Sequence, residues 1–204
     1  MFEIQAHNRK KCINKDLAGG MGTGTWIGDS WRARIFEYVK KKSVVLPEIT
    51  SAYLVAIFKK AGWEVERVEV GRGLEIKTGA ADLALVPSSI VDCFHEREVA
   101  RILKNRGLKV GIYGTFASAR PDFFINDVDF VIRGEAEAAA IKIINQKELP
   151  TGIFEAGRVE NLDSLPFPDW SSFPLNKYSY APVLNKNPVT VMLASRGCPH
   201  TCSY

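Results

Sequence analysis

No stretch of the chain approaches the roughly 18–20 consecutive apolar residues that a membrane-spanning helix needs, so no membrane partner is expected. Residues 1–11 carry no apolar signal-peptide core, which predicts a cytoplasmic protein. Basic residues gather only locally, at Arg9-Lys10-Lys11 and Lys40-Lys41-Lys42, and the net charge is a mild +4. With no long basic stripe interleaved with aromatics, no nucleic-acid partner is expected. Cysteine is scarce: Cys12, Cys93, Cys198 and Cys202 are the only four in 204 residues, too few and too unevenly placed for a disulfide framework. The glycine-rich run from Gly19 to Gly28 lacks the lysine of a P-loop, because Thr25-Trp26 follows Gly24. It also lies too far from the first strand for a dinucleotide fingerprint. A flavodoxin-like reading fails because no phosphate loop follows strand one. A receiver domain fails because the third strand ends in Val86-Pro87 rather than in an acceptor Asp.

What is present is an ordinary globular composition, 46% hydrophobic and 25% charged, in a length that suits one well-buried domain and a tail. Ile49, Ala52, Tyr53, Ala56, Ile57 and Lys60 fall at helical spacing and are followed by Gly62 as a stop signal. Phe94, Val99, Ile102 and Leu103 mark a second helix closed by Gly107, with His95 and Glu96 expected on its exposed side. Ala136, Ala139, Ala140, Ile143 and Ile144 mark another. Asp29 is placed as N-cap of a further helix with Trp31, Ile35, Tyr38 and Val39 on one face. Between these lie strand-like runs at 2–6, 63–70, 82–86, 108–113 and 129–132. The pattern predicts an α/β fold, a doubly wound, mostly parallel five-stranded sheet over residues 1–147 with a glycine-rich insertion at 14–45. Residues 148–187 read as a small hairpin at 152–159 and a proline-punctuated linker. Residues 188–204 begin a further unit with a strand at 189–194.

Right-handed crossovers put all strand C-termini on one edge, where such sheets bind ligands. The residues after each strand are therefore the candidates: His7-Asn8, Ser88-Ser89, Gly114-Thr115-Phe116 and Arg133-Gly134-Glu135. Plain strand-end turn chemistry accounts for Ser88-Ser89 and Gly114-Thr115 equally well. At the far end, Cys198 and Cys202 stand four apart in a Gly/Pro-containing loop, a spacing at which two thiolates reach one soft metal centre. Two ligands do not complete such a site, and spacing alone leaves two unrelated cysteines as an even alternative. Cys93 reads as a packed thiol.

The residues around the pair add a resemblance. Arg196-Gly197-Cys198-Pro199-His200-Thr201-Cys202-Ser203-Tyr204 resembles the radical S-adenosylmethionine signature, C-x3-C-x2-C with an aromatic before the last cysteine. Cys198 and Cys202 match the first two cysteines and Tyr204 the aromatic; the third would fall at position 205, so the chain is expected to be a fragment of a longer protein. Upstream, Leu165-Pro166-Phe167-Pro168-Asp169-Trp170 with Leu175 and Tyr178 is similar to the linker before the barrel of cobalamin-binding members of that family. The run 129–135, the pair Leu46-Pro47, Ala52-Tyr53-Leu54 and Lys60-Ala61-Gly62 are similar to other parts of their cobalamin domain.

The resemblance implies that Cys198 and Cys202 hold a [4Fe–4S] cluster with the missing third cysteine, and that Tyr204 lies beside it. The cluster would bind S-adenosylmethionine and cleave it to a 5′-deoxyadenosyl radical. The N-terminal domain would present cobalamin, often as a methyl carrier, with Ser88, Ser89, Gly114, Thr115, Gly134 and Glu135 at the cofactor edge. The barrel is the expected partner, and the fragment alone is expected to be inactive. His7 stands where related cobalamin domains carry a cobalt-ligating His, but the Asp and Gly of D-x-H-x-x-G are missing. A surface or capping His is the commoner role, and some members hold cobalamin with no protein ligand below cobalt. A stand-alone cobalamin carrier and a docking domain that binds nothing are the rival readings.

Overall fold

A computed structural model describes residues 2–4, 30–35, 38, 44–70, 76–77, 79–90, 92–146, 148–180, 188–197 and 200. The fold is α/β. Its strands are β1 (Phe2–Ile4), β2 (Val44–Val45), β3 (Val68–Val70), β4 (Leu83–Pro87), β5 (Lys109–Tyr113), β6 (Phe130–Gly134), β7 (Gly152–Gly157) and β8 (Ser179–Tyr180). Its longer helices are α1 (Ile49–Lys60), α2 (Cys93–Asn105), the short α3 (Thr115–Ala119) and α4 (Ala136–Gln146).

Four parallel strands are hydrogen-bonded in the order β4-β5-β6-β7. β1 pairs in parallel with β3 and lies against β4. This replaces the expected five-stranded sheet with a four-stranded sheet flanked by a two-stranded pair. The chain order thus reverses between β1 and β4, with β3 on one side and β5 to β7 on the other.

Side chains alternate between two cores because successive residues of a strand face opposite ways. Ala84, Val86, Val110, Ile112 and Val131 pack with Val99, Ala100 and Leu103 of α2 and Ala117 of α3. Leu85, Tyr113, Phe130 and Ile132 pack with Leu54, Ile57 and Phe58 of α1 and with Ala139, Ala140 and Ile143 of α4. Helices therefore cover both faces, which explains why the strands read as nearly continuous apolar runs. Gly111 belongs to the second face, and the Phe130 ring lies over it where a Cβ would otherwise stand.

Several expectations are corrected. Gly152–Gly157 is not half of a hairpin: it is the edge strand of the sheet, parallel to β6, so the sheet continues past residue 147. Its half-exposed alternation fits an edge position. Residues 189–194 form no strand. The strand foreseen from 63 is confined to 68–70. His95 and Glu96 are buried, whereas Phe94, foreseen on the packed face, is 70% exposed. Trp31, Ile35 and Tyr38 are exposed rather than packed as a face. Cys93 is buried, as foreseen.

The proline-punctuated linker folds back onto the domain. Phe173 and Tyr178 pack with Ala52, Trp170 and Leu175. The Arg67 guanidinium lies 4.4 Å over the Phe173 ring, donates to Tyr178 Oη at 3.3 Å and pairs with Glu69 at 3.0 Å. Asp169 accepts from Lys59 Nζ at 2.8 Å, while its backbone N–H donates to the Ala52 carbonyl. The Lys59 and Ser171 hydrogen bonds lower the Asp169 carboxyl to about 2.

Candidate functional site

The C-terminal ends of β4, β5 and β6 open onto a cavity of about 730 Å³. Its wall includes Ser88, Gly114, Thr115, Gly134 and Glu135, five of the residues expected at the strand ends. Ser89, the sixth, is not part of the wall; its N–H and Oγ donate to the two oxygens of the buried Glu96 carboxylate, at 2.8 and 3.0 Å, and Glu96 itself lines the cavity. The expected positions 7, 198, 202 and 204 lie outside the described residues, as does the glycine-rich run at 19–28. Among the described residues, no three His, Cys, Asp or Glu side chains converge as a metal site. No described helix is long and apolar enough to cross a membrane.

Two glycines shape the wall. Gly114 has φ +123°, and a Cβ there would run into the Ser88 carbonyl and backbone. The end of β5 thereby approaches the end of β4 more closely than any L side chain permits. Gly134 has φ +108° at the register shift between β6 and β7, and a Cβ there would meet the backbone of Gly157. Its N–H donates to Ser118 Oγ at 3.1 Å. The Ser88 hydroxyl is buried next to this opening and has no hydrogen-bond partner among the described residues. A buried hydroxyl left so is costly, which marks it as available to a ligand.

Sequence reasoning foresaw Glu135 but missed Glu48 and Glu137 in the acidic half of the site. Glu48 caps α1, accepting from Ser51 N at 2.7 Å. Its carboxylate also takes the Ser51 hydroxyl and Tyr113 Oη. Burial raises the Glu48 carboxyl despite these hydrogen bonds, and burial together with the Glu48 charge holds the Tyr113 phenol well above its ordinary value. Both are therefore held toward their neutral forms. Glu135 accepts from Val159 N at 2.7 Å, and Glu137 is 2% exposed in the first turn of α4. Arg196 reaches both, at 3.9 Å to Glu135 and 2.6 Å to Glu137. The only advance signal for Glu48 was its place just before an apolar periodic run, where helix caps stand. Nothing in the sequence linked Glu137 to Arg196, 59 positions on.

Comparison with known proteins gives two distant relatives. The chain is 32% identical to an anaerobic magnesium-protoporphyrin IX monomethyl ester cyclase of Synechocystis sp. over 93 aligned positions, 38% of this chain and 18% of the cyclase. It is 26% identical to an uncharacterized methyltransferase of Pyrococcus horikoshii over 152 aligned positions, 63% of this chain and 32% of the methyltransferase. The chain thus spans less than a third of the length of each. No family model matches. No solved structure matches.

Proposed function

We infer that the chain is the cobalamin-binding domain of a radical S-adenosylmethionine enzyme, with Cys198 and Cys202 as two of the three ligands of its iron–sulfur cluster. The observation that carries the reading is the cavity at the C-terminal strand edge, which gathers Ser88, Gly114, Thr115, Gly134 and Glu135 in one wall. The two relatives support it in part: one is named a cyclase of magnesium-protoporphyrin IX monomethyl ester, and the other a methyltransferase, a reaction for which a methyl-carrying cofactor is suited.

The residues present fit a large, largely neutral ligand. Gly114 and Gly134 offer bare backbone for close approach, and Ser88 Oγ has no hydrogen-bond partner among the described residues. Burial shifts Glu48 and Tyr113 toward their neutral forms, which lowers the negative charge facing a ligand. Cobalamin would supply the methyl-carrying or radical-tuning cobalt chemistry. The protein's own part is to bind along this wall, exclude water from the ligand edge, and set the sheet against the segment that carries Cys198.

Mixing the purified chain with methylcobalamin and following visible absorbance through gel filtration tests this. Stoichiometric co-elution is expected. Absence of co-elution at high micromolar concentrations removes the cobalamin reading and leaves a docking domain. The nucleotides after the codon for Tyr204 in the natural gene test the other half: a cysteine codon at position 205 is expected, and any other residue removes the radical assignment.

A further inference from the structure

Residues 188–193 form no strand, yet Leu193 and Arg196 line the cavity together with residues of β4, β5 and α4. Arg196 holds this segment. One of its guanidinium nitrogens donates to Glu137 at 2.6 Å, the other stands 3.9 Å from Glu135, and the group lies 5.3 Å from the centre of the Tyr53 ring. Its side chain is 19% exposed and that of Glu137 is 2% exposed. Among the described residues, Arg196 is the only cation in ion-pair range of Glu137. Burying a carboxylate this deeply without an ion-pair partner is costly, so each member of the pair depends on the other.

We propose that Arg196 is a positioning residue: its ion pair with the buried Glu137 latches the loop that carries Cys198 onto the ligand edge of the sheet. Arg196 stands two positions before that cysteine, so the latch keeps Cys198 within two residues' reach of a fixed point on the cavity wall. A planar guanidinium suits the task, since it reaches two carboxylates and an aromatic face at once. The latch stands on geometry alone; that it sets a cluster thiolate against a bound cofactor rests on the function proposed above.

The test is a spin-label distance measurement on the 204-residue chain. Cys12, Cys93 and Cys202 are replaced by serine, and nitroxides are placed on Cys198 and on Gln146→Cys at the exposed end of α4. A single narrow distance distribution is expected with Arg196 in place. Arg196→Met is expected to broaden it at least about twofold as the segment is released, while Arg196→Lys, which keeps the charge, retains most of the narrow population. If the Met variant fails to fold for want of a partner to Glu137, the pair Glu137→Gln/Arg196→Met leaves no orphaned charge and is expected to fold with the broad distribution. A narrow distribution that survives in either of these two variants overturns the latch. Failure of cobalamin to bind does not alter this readout, so the two inferences fail separately.

Discussion

The Ser88 carbonyl occupies the space into which a side chain at Gly114 would project, so the ends of β4 and β5 meet backbone to backbone at the cavity wall. This closeness, with the positive φ of Gly114, makes the position intolerant of any other residue. Gly114→Ala is expected to cost about 1–3 kcal/mol of stability through backbone strain. It is also expected to weaken ligand binding more than a change of similar cost remote from the cavity. Urea unfolding and a cobalamin titration on the same sample check both effects.

A control remote from the site is Gly111, where the Phe130 ring lies over the backbone. Gly111→Ala is expected to overpack the core by about 1–3 kcal/mol while leaving ligand affinity unchanged in the folded fraction. Affinity lost in proportion to stability at both glycines would show that the cavity wall has no special role.

Glu48 makes a pH-dependent contribution of known sign. Burial raises its folded carboxyl above the ordinary 4.5, so its protonated form favours the folded state. That contribution is whole below the unfolded value and is lost as pH rises through the raised one. Glu48→Gln keeps an acceptor for Ser51 N and cannot ionise. Relative to the variant, the wild type is expected to lose stability as pH rises above about 4.5. Parallel stability curves in urea between pH 4 and 8 would contradict this.

Asp169 behaves in the opposite sense. Its carboxyl is lowered to about 2, chiefly by the Lys59 hydrogen bond. Its contribution is present above the unfolded value, 3.8, and fades as pH falls toward about 2. Both partners are partly exposed, so Lys59→Ala is expected to cost no more than about 1 kcal/mol at neutral pH. Because the pair ties the linker to α1, the same change is expected to speed proteolysis between residues 162 and 178 while α4 stays protected. An unchanged cleavage rate there would show that Phe173 and Tyr178 alone hold the linker.

Much of this arrangement was legible because strong periodicity and burial coincide. α1 and α4 follow their apolar spacing, and the strand ends at Ser88, Gly114 and Gly134 were located by simple apolar runs. β7 was misread because a short six-residue run with a glycine at each end imitates a small hairpin. The five-residue α3 is too short to show a period. The burial of Glu96 ran against the assumption that charge means exposure; it is inside because Ser89 needs an acceptor at the sheet edge. The Arg196–Glu137 pair joins residues 59 apart, and only the folded chain brings them together.

Equilibrium dialysis of hydroxocobalamin against the wild-type chain and against Ala119→Trp tests the central claim most directly. Ala119 is exposed on α3 and lines the cavity, so the indole is expected to fill it without disturbing the core. Saturable binding by the wild type with at least about tenfold weaker binding by the variant is the result predicted, a difference of one decade in Kd. Equal binding by the two chains, or none by either, would contradict it.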